Sequence, residues 1–395
     1  MVTKRMLVTF QPGTAAEVIK ILGNSVGLLP AVVASHSDFA GSPSSGFGHD
    51  AMVIDELGIA AFSRESADFS QQVPLGGPIR AIRPERIFRR PASSIGVQLE
   101  KVAAAYANFA VGTAQMSWAF AALGGNLMAS QEGLGITVAL LDTGVDVKHA
   151  DIRNQILDAT SFVSGYRPDV DDDGHGTHCA GLLVGARQSQ YGPRYGVAPA
   201  SRLIVSRVFG GADEAAEMDL SRAIVSSVER GARILSISAG RDGVAGPDAA
   251  DTQMGAYLLA HGVLAVAAAG NESDRANNSV EGTNAPANAD GILAAGAITL
   301  NGRLWNKSNG VAGAAGARVD FVAPGVAVPS ARPGEGTQLA SGTSVATPIV
   351  AAVAAARWSR EPSLSVAKLA AGLIASTLSV AGGPPDGIGY GLVQL

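Results

Sequence analysis

The sequence predicts an α/β domain with a mostly parallel central sheet, preceded by a smaller α+β module. Three observations carry this. From residue 136 onward, short apolar runs alternate with stretches of helical periodicity, the pattern of successive strand–helix units. Those runs are continuously apolar, as strands covered on both faces are. Before residue 116 the apolar runs are shorter and separated by loops rich in Gly, Pro and Ser, such as residues 35–49. The expected divisions are a module over 1–90, a linker and helix over 91–115, and the larger domain over 116–395.

Taken in order, residues 4–11 alternate like a strand, 14–22 have helical spacing, 52–62 read as one or two strands and 78–88 as another. The last of these ends in a basic stretch, with Arg80, Arg83, Arg86, Arg89 and Arg90 against Glu85. Pro91, Ala92, Ser93 and Ser94 read as a linker, and Val97, Val102, Ala105 and Phe109 give helical spacing over 97–111. Buried-strand candidates follow at 136–141, 203–208, 234–237, 263–267, 292–297 and 319–322. Helix candidates lie at 175–185, 218–230, 252–261, 344–358 and 366–375. In such sheets, ligand sites lie at the carboxyl ends of the strands.

Composition narrows the function classes. The 395 residues are 47% hydrophobic and 16% charged, with 49 glycines, which is the texture of a globular chain. A net charge of −5 without a long basic run argues against a nucleic-acid partner. The single cysteine, Cys179, rules out an internal disulfide. No apolar run reaches the roughly 18 residues of a membrane span. The apolar stretch within residues 1–10 is too short for a signal-peptide core, so a cytoplasmic setting is expected unless a leader once preceded it, in which case the protein is secreted.

Four residues could carry chemistry. Ser344 stands at the mouth of a long apolar helix, and a serine hydroxyl becomes a nucleophile when a base takes its proton. His175, between Gly174 and Gly176, is a candidate base; the flanking glycines permit close approach of neighbouring backbone. Asp142 follows the apolar run 136–141 and could orient that base, although an Asp before Thr143-Gly144 is also an ordinary turn former. Asn271, past another buried run, could donate to a developing oxyanion or simply occupy a loop. Zinc is a rival use of His175, His178 and Cys179, but the four-residue His spacing with an intervening Glu is absent. His178 and Cys179 are expected to be packed helix residues.

Together, the motifs Asp142-Thr143-Gly144, His175-Gly176-Thr177-His178, Gly270-Asn271 and Gly342-Thr343-Ser344-x-Ala346-x-Pro348 resemble those of the subtilisin-like serine proteases, in the same order. Gly196-Val197-Ala198-Pro199 and Ala323-Pro324-Gly325 agree with the likeness, which spans about residues 116–395. The resemblance implies a three-layer fold and an endopeptidase needing no cofactor for its chemistry, acting on peptides or proteins. Ser344 would be the nucleophile, His175 the base, Asp142 its orienting acid and Asn271 an oxyanion donor. Pro348 would fall in the first helical turn after the serine. One pocket wall would be Ser238-Ala239-Gly240, the other Ala268-Ala269-Gly270, with Asn284 near the floor. Those small residues imply a neutral, apolar or broad preference before the cut, and Arg241, where a second glycine often stands, would favour acidic groups further along the groove.

The first 90 or so residues resemble, in architecture alone, a ferredoxin-like inhibitory propeptide that fills the groove until it is cut off. The cut is expected between Ala92 and Met116, after the helix near Val111. Asp169-x-Asp171-Asp172-Asp173-Gly174 looks like the front of an EF-hand, but the twelfth position is Ala180, so a solvated acidic loop is expected. Asp151 could be an isolated calcium ligand, and calcium is left open. The alternative from another class is a catalytically silent subtilase fold that binds peptides or proteins. An α/β-hydrolase is disfavoured, because Ala346 stands where its elbow needs glycine and the order is Asp–His–Ser.

Overall fold

The computed structural model describes residues 2–26, 33–35, 51–62, 73, 75–92, 94–95, 115–126, 132–211, 214–241, 246–312, 316–380 and 385–395. The helix expected over 97–111 lies outside them.

The amino-terminal module contains β1 (Val2–Phe10), α1 (Ala15–Val26), β2 (Val33–Ser35), β3 (Ala51–Ile54), β4 (Ile59–Phe62) and β5 (Ile79–Arg89). β1 lies antiparallel between β4 and β5, and β3 continues beyond β4. Period-two alternation along β1 assigns its two faces. Met6, Val8 and Phe10 pack with Val18 and Leu22 of α1. Leu7, on the other face, joins Met52, Ile54 and Ala61 in a layer shared with Met218, Ile224 and Met254 of the larger domain. A short strand β6 (Ser94–Ile95) follows the module.

The larger domain opens with α2 (Trp118–Ala122), β7 (Thr137–Asp142), β8 (Ile156–Ser161), α3 (His175–Val184), β9 (Arg202–Arg207), β10 (Glu214–Ala216), α4 (Glu217–Glu229) and β11 (Ile234–Ile237). It continues with α5 (Ala249–Ala260), β12 (Leu264–Ala268), β13 (Ile292–Ile298), β14 (Phe321–Pro324), β15 (Val328–Ala331), β16 (Thr337–Ser341), α6 (Thr343–Arg360) and α7 (Val366–Ala375). The central sheet has the order β14-β13-β12-β11-β7-β9-β8, and its pairings are all parallel. Thus the α/β domain expected from residue 136 onward is present, with strand ends displaced by one or two residues. β8 was not foreseen. It is an edge strand in which only Ser161 is fully buried, so it lacks the continuous apolar run of its neighbours.

α6 is buried along nearly its whole length, and half of its residues are Ala or Val, which lets it lie close to the sheet. Pro348 is its sixth residue, deeper than the first turn expected for it. A proline there withholds the N–H that would bond the Ser344 carbonyl four residues back. The Cys179 thiol takes that role, donating to the Ser344 carbonyl at 3.5 Å.

The two units are joined by backbone and by charge. β5 pairs with β10 of the larger domain, giving a six-stranded sheet, β10-β5-β1-β4-β3-β2. Glu85 accepts from the backbone N–H of Met218 at 3.0 Å, at the start of α4, where a carboxylate meets the positive end of the helix. Arg83 makes two hydrogen bonds to Glu217, at 2.8 and 2.6 Å, and Arg86 donates to Asp248 at 2.8 Å. Arg5, held by Glu85, stands near Asp219, whose carboxyl burial pushes up to about 6, although Arg5 and Arg222 pull it down.

This gives a pH prediction. The native Asp219 carboxyl titrates near 6, and an unfolded one near 3.9, so the native state binds more protons between about pH 4 and 6. That contribution to stability is complete below about pH 4 and is lost as pH rises to about 6. Asp219→Asn should therefore raise the thermal midpoint at pH 7.5 and leave it nearly unchanged at pH 4, as differential scanning calorimetry at the two pH values would report.

Candidate active site

Because the central strands are parallel, their carboxyl ends share one edge, and the candidate residues gather there. Asp142 ends β7, the segment 238–240 leaves β11, and residues 268–271 leave β12. His175 is the first residue of α3, after Gly174 in the left-handed region (φ 94°). Ser344 is the second residue of α6.

Asp142 Oδ1 lies 2.8 Å from His175 Nδ1, and His175 Nε2 lies 2.9 Å from Ser344 Oγ. A carboxylate only accepts, so Nδ1 carries the proton and Nε2 is free to accept from the serine hydroxyl. Burial pushes the Asp142 carboxyl up, but the facing imidazole, the Thr143 N–H and the Ser238 hydroxyl outweigh it and hold the group below the usual carboxylate range. The contact depends on backbone proximity. A methyl on Gly176 would lie 1.9 Å from the Gly144 carbonyl oxygen, and the Gly176 N–H donates to Thr143 Oγ1 at 2.9 Å.

Asn271 is braced from behind. Its Oδ1 accepts from the Thr343 N–H and the Thr343 hydroxyl, both at 2.8 Å. Its Nδ2 is thereby free to donate forward, and it donates to the carbonyl oxygen of Ala92 at 3.1 Å. The module's outgoing chain thus occupies the groove. Arg89 and Gly240 exchange both backbone hydrogen bonds, at 2.7 and 2.6 Å, and β6 pairs antiparallel with Ala340 and Ser341 beyond the serine. A serine hydroxyl on an imidazole, a carboxylate behind that imidazole and an amide on a peptide carbonyl form an arrangement that can carry out acyl transfer.

The sequence profile of the subtilase family matches residues 133–391. This chain belongs to the subtilase family. It is similar to subtilisin DY of Bacillus licheniformis, at 31% identity over 240 residues, covering 60% of this chain and 82% of the relative. The major intracellular serine protease of Bacillus subtilis (strain 168) is 34% identical over 226 residues, covering 55% and 67% of the two chains. Among solved structures, sphericase aligns with a TM-score of 0.62 at 28% identity, over 71% of this chain and 98% of its own. Fervidolysin from Fervidobacterium pennivorans aligns with a TM-score of 0.72 over 99% of this chain and 60% of its own; at 20% identity it speaks to fold alone. The subtilase described here is a serine endopeptidase, in a fold whose chemistry needs no cofactor.

Around the groove of this subtilase the expected pocket residues come together. Ser238, Ala239, Ala268 and Ala269 are fully buried. A methyl on Gly240 would touch both Asn284 and Pro91, and one on Gly270 would collide with Asn309, Glu272 and Asn284. Glu272 and Asn309 are residues that sequence reasoning missed. Glu272 accepts from the Asn271 N–H, from Asn284 and from Asn309, at 2.9, 3.1 and 2.7 Å. Its position directly after Asn271 was the available signal.

Other expectations need correction. Arg241 is buried and bound to Asp251 at 2.5 Å and to Asp248 at 3.3 Å, so its charge is spent internally and does not await an acidic substrate group. The acidic loop is only partly solvated: Asp171 is buried and accepts from Thr143 Oγ1 and from the N–H groups of Gly174 and Thr177, tying the Asp142 turn to the His175 helix. Asp151 accepts from Tyr195, Ser189 and the Gln190 N–H, bracing a loop with its own donors. His178 bonds the Val328 carbonyl at 2.9 Å, and burial holds its imidazole down to about 4, so it is a neutral packed residue as expected.

Gly176→Ala should push His175 off Asp142, because the new methyl would lie 1.9 Å from the Gly144 carbonyl oxygen and 3.1 Å from Thr143 Oγ1, both in the turn that follows Asp142. The proton NMR signal of the His175–Asp142 hydrogen bond should disappear, and stability should fall by about 1–3 kcal/mol, the usual cost of overpacking.

Proposed function

We propose that this subtilase hydrolyses peptide bonds through an acyl-enzyme, and that residues 1–90 are an inhibitory propeptide removed by self-cleavage. Ser344 is the nucleophile, His175 the base and later the acid, Asp142 the group that fixes the imidazole tautomer, and Asn271 a donor to the oxyanion. The observation that carries this reading is the relay Asp142–His175–Ser344 facing an amide that already holds a peptide carbonyl. In attack, Ser344 Oγ bonds the carbonyl carbon as its proton passes to His175 Nε2. The oxygen gains charge at Asn271, the C–N bond breaks, and the amine leaves with that proton. Water then resolves the ester by the same proton route.

A small-walled pocket supports a neutral or broad preference at the residue before the cut. Two features support a cytoplasmic setting: likeness to a relative named as intracellular, and a single cysteine. Among the described residues, no helix is long and apolar enough to cross a membrane. The assembled Asp142–His175–Ser344 relay supports an active enzyme over a silent binding module.

The test is intact mass and amino-terminal sequencing of the wild type beside Ser344→Ala. The wild type should lose about 90–115 residues and the variant none, and a fluorophosphonate probe should label only the wild type. Labelling of both or of neither would sink the nucleophile assignment. Asn271→Ala should lower turnover about 100- to 1,000-fold with little change in KM, the general effect of removing one oxyanion donor.

A further inference from the structure

The chain that lies in the groove also records how the groove reads a sequence. The carbonyl seated on Asn271 belongs to Ala92, with β5 and Arg89 on one side of it and β6 on the other. This is three residues past the end of β5, and far from the boundary near Val111 expected from the sequence. Two residues before Ala92, Arg90 donates to Asp173 Oδ2 at 2.9 Å. The Arg90 side chain is only 8% exposed, while that of Asp173 retains 32%. A guanidinium so covered requires a counter-charge, and the groove supplies one two residues before the catalytic histidine. Asp173 is held in place by its other oxygen, which accepts from the His175 N–H at 3.1 Å. One residue further out, Arg89 pairs with Glu214 at 3.1 Å, but this side chain is 48% exposed and so the pair contributes little.

We propose that the bond following Ala92 is the one this subtilase cuts in itself, and that Asp173 is a specificity residue selecting a basic side chain two positions before the residue whose carbonyl is attacked. The proposal rests on the self-processing reading above and names its bond and its recognition rule. Cleavage follows the acyl-transfer steps already given: the ester forms on the Ala92 carbonyl, and the amine of residue 93 takes the proton from His175. A small residue at the cut with Arg or Lys two before it is then the substrate class for other proteins as well.

Two measurements on the purified full chain test this. The first is the sequence of the new amino terminus, expected to begin at Ser93. A single cut elsewhere overturns the bond while leaving self-processing intact. The second is kcat/KM on fluorogenic peptides copying residues 86–96, with Arg, Gln or Glu at the position of Arg90. The wild type should prefer Arg over Gln by about tenfold or more, as a charged hydrogen bond implies. Asp173→Asn should bring that ratio towards one, and Asp173→Lys should favour the Glu peptide. The ratio is insensitive to a general loss of activity from disturbing His175, because both peptides suffer it alike. Equal rates for Arg and Gln in the wild type, or an unchanged ratio in Asp173→Asn, overturn the specificity role. Hydrolysis of no peptide at all, together with no fluorophosphonate labelling, would instead overturn the proposed function beneath it.

Discussion

The site depends on one backbone contact that leaves no room for a side chain. Gly176, in the first turn of the histidine helix, sits against the Gly144 carbonyl of the turn that follows Asp142. This contact turns two separate elements, the end of β7 and the start of α3, into one rigid corner with aspartate and imidazole face to face. Asp171 and Thr143 reinforce the same corner through side chains. The serine reaches the corner from a third direction, on a helix so rich in alanine that it lies close to the parallel sheet.

The serine helix is braced at its start in two ways that the motif alone does not explain. Thr343 holds the Asn271 amide by backbone and hydroxyl together, so the residue before Ser344 fixes which way that amide's N–H group points. Pro348 strips the Ser344 carbonyl of its helical partner, and the single cysteine of the chain fills the gap. The same thiol lies 3.7 Å from His175 Nδ1, so it packs the far side of the imidazole.

The sequence made the candidate site legible because residues 142, 175, 271 and 344 sit in short local motifs, the first and third after an apolar run and the other two at the start of one. The parallel strands were legible for a related reason: burial on both faces leaves continuous Val, Ile, Leu and Ala. What stayed hidden was long-range. β8 carries a mixed sequence because it lies at the edge of the sheet. Arg241 reads as a lone cation in the groove, since its partners Asp248 and Asp251 are set by the start of α5 rather than by its own strand. Asp171 reads as one of four solvated acids until folding brings three donors to it. Arg90 and Asp173 lie 83 residues apart, a pairing that no local pattern announces.

The arginines of β5 and the carboxylates beneath them also form a joint that answers to the ionic medium. The outer pairs, Arg86–Asp248 and Arg89–Glu214, carry arginine side chains that are 38% and 48% exposed, within reach of mobile ions. The inner contacts end on Glu85 and Glu217, whose side chains have no exposure. With a screening length of about 8 Å at physiological ionic strength, added salt weakens the rim and spares the interior. The hold of the module on the larger domain is therefore graded by the surrounding electrolyte, with the buried contacts setting a floor beneath it.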